Sequence, residues 1–170
     1  TRKESSAASD VYKRQILARR QKRMQAEGRI DALAHLAARP VVAEIEAIGR
    51  VLTLAEWTGA RVHIAHHSAA DSLFLIREAK RRGVDVTVET CPQYLLLNTD
   101  HADHLGGILR LNPPIREARH NQPLWDAMMD GTIDMIATDH APHAPDEKTR
   151  ANIWAVSYTH LRAHETPEHL

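Results

Sequence analysis

Three short stretches in which apolar side chains recur every second residue, 61–66, 84–89 and 133–138, are separated by stretches in which they recur every third or fourth. A period of two puts alternate side chains on opposite faces of a strand, whereas the longer period gathers them on one stripe of a helix. In 40–57 the residues Ile45, Ile48, Leu52 and Ala55 keep the helical spacing, with Pro40 near the start and Gly59 just past the end. Proline suits the first helical turn and glycine the left-handed stop, so this stretch is expected to be an amphipathic helix. Val62 and Ile64 then alternate with His63 and Ala65. A second helix, through Leu73, Ile76 and Ala79, stops at Gly83, and Ser68 and Asp71 stand ahead of it at capping-box spacing. Val84, Val86 and Val88 alternate with Asp85, Thr87 and Glu89 in a second strand. After a loop with Asn112, Pro113 and Pro114, a shorter helix around Leu124, Trp125 and Met128 closes at Gly131, and 133–138 forms the third strand. Strands and helices in this alternation predict a parallel α/β architecture.

In such folds functional groups collect at the carboxyl ends of the strands. His66-His67-Ser68, Glu89-Thr90-Cys91 and Asp139-His140 all occupy that place, so all three clusters are expected on one edge of the sheet. Asp139 shares its strand face with Ile133, Met135 and Ala137, and a carboxylate ending an apolar row is costly to bury without a cation or a hydrogen-bond donor. A metal ligand that also accepts a proton satisfies this pattern. So does a carboxylate capping the next turn. His66 ends the face of Val62 and Ile64, where a lone histidine is more often a structural group than a ligand.

Both chain ends read as foreign to this pattern. Residues 5–15 and 156–166 look like translated frames of the two adapters of a transposon-type sequencing library, so 1–15 and 156–170 are set aside. About 140 residues remain, one domain's worth, carrying 17 basic and 18 acidic side chains. That balance argues against a nucleic-acid surface. No apolar run approaches the roughly 18 residues that span a bilayer, so no membrane is expected as partner. Cys91 is the sole cysteine, which excludes a disulfide within the chain and fits a cytoplasmic setting.

Taken in order, Val62-His63-Ile64-Ala65-His66-His67-Ser68, Glu89-Thr90-Cys91-Pro92-Gln93-Tyr94-Leu95, Leu111-Asn112-Pro113-Pro114-Ile115-Arg116, Gly131-Thr132-Ile133-Asp134 and Thr138-Asp139-His140-Ala141-Pro142-His143 carry a resemblance. The chain resembles the cyclic amidohydrolases, the group of dihydropyrimidinases and hydantoinases, allantoinases and dihydroorotases. Five motifs in register are far more specific than one, and they extend over about 28–155.

The resemblance implies the α/β fold of a (β/α)₈ barrel, of which this chain holds about strands six to eight with their helices. It further implies two Zn²⁺ ions bridged by a carboxylated lysine and a hydroxide, a small cyclic amide or ureide as substrate, and a homo-oligomeric parent enzyme. His66 matches the metal-binding histidine of the sixth strand. Asp139 matches the eighth-strand ligand, which also carries the proton from the attacking hydroxide to the departing amide nitrogen. Asn112 and His143 match substrate-contacting positions. The first-strand His-x-His pair, the fourth-strand lysine and the fifth-strand histidine are expected upstream of Ile16, which leaves His66 and Asp139 as this chain's share of the ligands. A barrel needs about 200–250 residues, so the segment alone is expected to be neither catalytic nor a stable monomer.

Motif details point to different substrates. Gln93 favours the hydantoinase and dihydropyrimidinase group, Asn112 and His143 also fit dihydroorotases, and Ala38-Arg39-Pro40 with Glu44 and Glu46-Ala47-Ile48 resembles allantoinases. Of other classes, a non-catalytic dihydropyrimidinase-like assembly protein stays open, although it has no need of His66 and Asp139. A phosphoester hydrolase is disfavoured by the lack of an arginine-rich anion clamp. The remaining residues are given plain roles: His63 and His67 in packing or at the surface, His140 beside Asp139 or exposed, and His35, His101, His104 and His120 solvated. Cys91 is expected to be a small buried group, and Trp57 and Trp125 to be core.

Overall fold

A computed structural model describes residues 14–140, 145–148 and 150–156. Two helices, α1 (Arg14–Ala26) and α2 (Ala32–Ala37), lead into the long α3 (Val41–Thr58). Then follow β1 (Val62–Ile64), α4 (Leu73–Arg81), β2 (Val86–Thr90), the short α5 (Pro92–Leu96) and α6 (Ala102–Leu105), α7 (Asn121–Met129) and β3 (Met135–Ile136). The strands lie in the order β1-β2-β3, both pairs parallel, with Ile64 opposite Val88 and Thr90 opposite Ile136. Most of the stretches set aside at the two ends lie outside the described residues.

The expected helices form for the expected reasons. Pro40 is the extended residue before α3, and Gly59, at φ 66°, takes the left-handed turn that ends it. One stripe of α3 buries Ala47, Ile48, Leu52 and Ala55, and α4 buries Leu73, Ile76 and Ala79 at helical spacing. These stripes meet Ile64, Val86 and Val88 in one core. Ile76 is wholly enclosed, and burial of a side chain of that size contributes about 1.5–3 kcal/mol. One face of the sheet is therefore covered by helices, and His63, Thr87 and Glu89 stand on the other.

Asp134 clips β3 to its neighbour. Its backbone N–H donates to the Val88 carbonyl at 2.9 Å, and its carboxylate accepts from the Val88 N–H at 2.7 Å and from Lys80 Nζ at 2.8 Å. Among the described residues no helix is long and apolar enough to cross a membrane.

Several expectations are corrected. The third strand is two residues long rather than six, since past Ala137, whose N–H still reaches the Thr90 carbonyl, the chain turns away. Ser68 does not cap α4, because its hydroxyl donates to Glu44 and a 3₁₀ turn, Ala70–Ser72, intervenes. Trp57 is 88% exposed and Trp125 39% exposed, so neither is core. The indole of Trp125 lies along the surface with its N–H on the Leu95 carbonyl, an amphipathic use of tryptophan that periodicity does not reveal.

Candidate functional site

His66 and Asp139 follow β1 and β3, and both adopt positive φ, 40° and 51°. Side chains with a Cβ pay for that conformation, and such strain collects at functional sites. At His66 the left-handed turn also breaks the strand alternation. The His66 ring is within electrostatic reach of Asp139, which in turn feels Glu89. Burial raises the Asp139 carboxyl above its ordinary value, His66 opposes that, and the like charge of Glu89 adds to it. His66 Nδ1 is buried and has no hydrogen-bond partner among the described residues.

The turn at His66 is gripped from β2. The backbone N–H of His66 donates to Glu89 Oε1 at 3.3 Å, that of His67 donates to the Glu89 carbonyl at 2.8 Å, and Thr90 Oγ1 donates to the His67 carbonyl at 2.8 Å. His63, expected in packing or at the surface, is a partner of the same carboxylate: its Nε2 lies 3.1 Å from Glu89 Oε2 and its Nδ1 2.8 Å from Thr87 Oγ1.

Behind the turn lies a buried polar network. Glu44, on α3, accepts from the backbone N–H groups of Ser68 and Ala69 at 2.9 Å each, from Ser68 Oγ at 2.6 Å and from Arg116 Nη2 at 2.8 Å. Arg116 Nε also donates to Ser68 Oγ, and its Nη1 to the Arg39 carbonyl. Burial alone would push the Glu44 carboxyl up. Arg116, His67 and the Ser68 hydrogen bonds outweigh it and hold the group at about 2. His67 is enclosed with Nδ1 3.5 Å from Glu44, and burial, more than Glu44 can offset, keeps its pKa depressed.

Asn112 lies on a loop anchored on both sides. His35 Nε2 meets the Leu111 carbonyl at 2.9 Å, and Tyr94 Oη donates to the Pro113 carbonyl at 2.7 Å. Between these anchors Asn112 Oδ1 is buried without a hydrogen-bond partner among the described residues. His35 is thus enclosed rather than solvated, and burial pushes it down to about 3, aided by Arg39. His120 is likewise buried, its Nδ1 accepting from the Ala70 N–H, whereas His104 is exposed as expected. Cys91 is buried, and burial, then Asp139 and Glu89, push its thiol up to about 12. His143 lies outside the described residues. Among those described, no cluster of three or more histidine, cysteine or acidic side chains is placed to hold a metal ion.

Sequence reasoning put Glu89 among the strand-end groups without giving it a role, and missed His63, Glu44, Arg116 and His35 as members of this assembly. The signal for the role of Glu89 was available: with Thr87 it lies on the strand face opposite the valines.

Parallel strand ends bearing a histidine and a carboxylate, above a sheet whose other face is helix-covered, define an α/β protein with part of a strand-end polar site. Known proteins narrow the class. The chain is 40% identical over 124 residues to the allantoinase of Escherichia coli O9:H4 (strain HS), and 39% identical over 122 residues to that of Salmonella paratyphi B. These matches take in 73% and 72% of this chain and 27% of each relative, so the chain spans about a quarter of the length of the curated relatives it matches. Its fold superposes on the L-hydantoinase (dihydropyrimidinase) of Arthrobacter aurescens with a TM-score of 0.81 and 36% identity, over 85% of this chain and 32% of that one. For the D-hydantoinase (dihydropyrimidinase) of a Thermus species the TM-score is 0.78 and the identity 30%, with the same coverage. No family model matches the chain. The chain belongs to the cyclic amidohydrolase family of allantoinases and hydantoinases.

Proposed function

We propose that the full-length protein carrying this segment is a metal-dependent hydrolase that opens a cyclic amide, of the hydantoinase and dihydropyrimidinase type. The observation that carries the reading is the pair of left-handed residues, His66 and Asp139, at two strand ends of one parallel sheet. In this reading β1, β2 and β3 are strands six to eight of a (β/α)₈ barrel, and 1–15 and 156–170 are foreign tails.

His66 and Asp139 fit part of a zinc site. A buried ring nitrogen without a hydrogen-bond partner and a half-buried carboxylate are both donors that a cation would satisfy. When bound, a pair of zinc ions supplies acidity to the attacking water and polarises the ring carbonyl. Asp139 takes the proton of that water on its carboxylate and returns it to the departing amide nitrogen, so that the C–N bond of the ring breaks. Asn112 Oδ1, buried without a partner among the described residues and set between the anchors at Leu111 and Pro113, accepts a ring N–H of the substrate, and His143 contacts it too. In this reading the further zinc ligands, among them a carboxylated lysine, belong to the full-length protein outside this segment.

Allantoin is the second reading, favoured by the allantoinase relatives. One residue that resembles allantoinases, Glu44, is occupied in holding Ser68 and Arg116 and reads no substrate.

The test is zinc content and turnover of the full-length protein on hydantoin, dihydrouracil, allantoin and dihydroorotate. Bound zinc and turnover of hydantoin or dihydrouracil are expected, with Asp139→Asn lowering kcat by about 10²–10⁴. A metal-free protein inert on all four substrates would sink the reading and favour a non-catalytic assembly protein.

A further inference from the structure

The reach of Glu89 to two elements at once leads beyond the ligand set. We propose that Glu89 is the positioning residue that sets the left-handed turn of His66, through a chain of hydrogen bonds beginning at Thr87. The inference rests on the reading of His66 as a metal ligand.

A residue with a Cβ does not hold φ 40° without outside support. Helix α3 meets the turn beyond His66, where Glu44 takes the backbone N–H groups of Ser68 and Ala69 and lies 3.5 Å from His67 Nδ1. At His66 itself the support is Glu89, whose Oε1 takes the His66 N–H while its own carbonyl takes the N–H of His67. One residue thus fixes two successive amides of the turn. The other carboxylate oxygen is fixed by His63. A carboxylate oxygen accepts, so Nε2 of His63 is the donor to Glu89, at 3.1 Å, while Nδ1 pairs with the Thr87 hydroxyl at 2.8 Å.

The three residues share the sheet face away from the helices, and parallel register puts His63 opposite Thr87. With Oε2 held, rotation of the Glu89 carboxylate would break two hydrogen bonds, so Oε1 stays aimed at His66. Groups that orient a ligand from behind affect metal affinity or activity by about 10–100-fold when removed. Glu89 acts in this way on the backbone of His66 rather than on its ring.

The test uses the full-length protein, wild type and with Glu89→Ala or Glu89→Gln, and reads zinc retained against a chelator, kcat and KM, and hydrogen exchange of 64–68. Glutamine keeps an acceptor for the His66 N–H, so it separates geometry from charge. In Glu89→Ala, zinc retention and kcat are expected to fall by about 10–100-fold while KM stays within about threefold. Exchange at 64–68 is expected to quicken by at least about tenfold, the equivalent of one charge-assisted hydrogen bond. Glu89→Gln restores most of both. Should Glu89→Ala not fold, Glu89→Asp shortens the reach by one methylene and is expected to show the same losses.

Wild-type exchange and zinc retention in Glu89→Ala would overturn the proposal. So would a glutamine variant as impaired as the alanine one, since Glu89 would then act by its charge. A wild-type protein without zinc or turnover would fail the proposed function instead, and the exchange comparison would still decide whether Glu89 holds the turn.

Discussion

Arg116 and Glu44, 72 residues apart in sequence, meet inside the protein at 2.8 Å with their side chains 6% and 7% exposed. The pair joins helix α3 to the loop beyond Asn112, and through Ser68 it braces the turn that carries His66. Arg116→Met removes the cation and leaves Glu44 buried and uncompensated. A loss of about 3–5 kcal/mol is expected, read as a lower urea midpoint of the full-length protein with unchanged slope. Adding Glu44→Gln removes the stranded charge and regains part of the loss; a double variant weaker than the sum of the single ones would refute this account.

Acid should weaken the fold from an unusually high pH. Burial holds His35 at about 3 in the folded state, against about 6.5 in the unfolded chain. Between those values the unfolded chain binds a proton that the folded one refuses. Stability is therefore complete above about 6.5 and falls as the pH drops toward 3, by about 2 kcal/mol at pH 5. His67 and His120, both depressed by burial, act with the same sign. Glu44 adds a later loss: burial raises it, its partners lower it further to about 2, and its contribution disappears as the pH falls from 4.5 to that value. Urea unfolding at pH 7.5 and pH 5 measures the first effect, which His35→Gln should flatten. A midpoint unchanged between the two would contradict it.

The elements of this fold were legible because local chemistry dictates them: a stripe on α3, a glycine stop at Gly59, valines alternating in β2. His66 and Asp139 were legible as strand-end groups, and their reading as metal ligands comes from the family likeness alone. Strand parity could not be carried through to His66, because the strand ends at Ile64 and His66 is left-handed. The buried histidines were illegible for another reason. His120 sits in polar local sequence and His35 in the alanine- and leucine-rich α2, and their partners, Ala70 and Leu111, are 50 and 76 residues away. Nothing within one helix tells a histidine that it will be enclosed by a distant loop. Trp57 errs in the opposite sense, an apolar residue on a helix that faces outward.

Tyr94 tests the loop proposed to meet the substrate, from outside the proposed reacting groups. Its hydroxyl donates to the Pro113 carbonyl, one residue past Asn112, inside the core. Tyr94→Phe keeps the ring and its packing and strands one buried carbonyl, at a cost of about 1–3 kcal/mol. A looser loop presents Asn112 less well, so KM for the cyclic amide should rise severalfold while kcat changes little. Equal falls in kcat and kcat/KM would mean instead that the loop acts in the transition state.

The sheet itself supplies the last expectation. Strand β3 is at one end of the order β1-β2-β3, and its two residues, Met135 and Ile136, are 43% and 47% exposed. An apolar edge strand with open backbone groups is a template for pairing with a second chain. The isolated 170-residue chain is therefore expected to self-associate at tens of micromolar, a concentration at which exposed edges find one another. A charge on the edge opposes such pairing, so Ile136→Lys should shift the distribution toward monomer in sedimentation velocity without altering the helical signal of the circular dichroism spectrum. A wild-type chain that sediments as a monomer and melts cooperatively would show that β3 is protected by something other than a neighbouring strand, and the expected dependence of this segment on the rest of a barrel would fall with it.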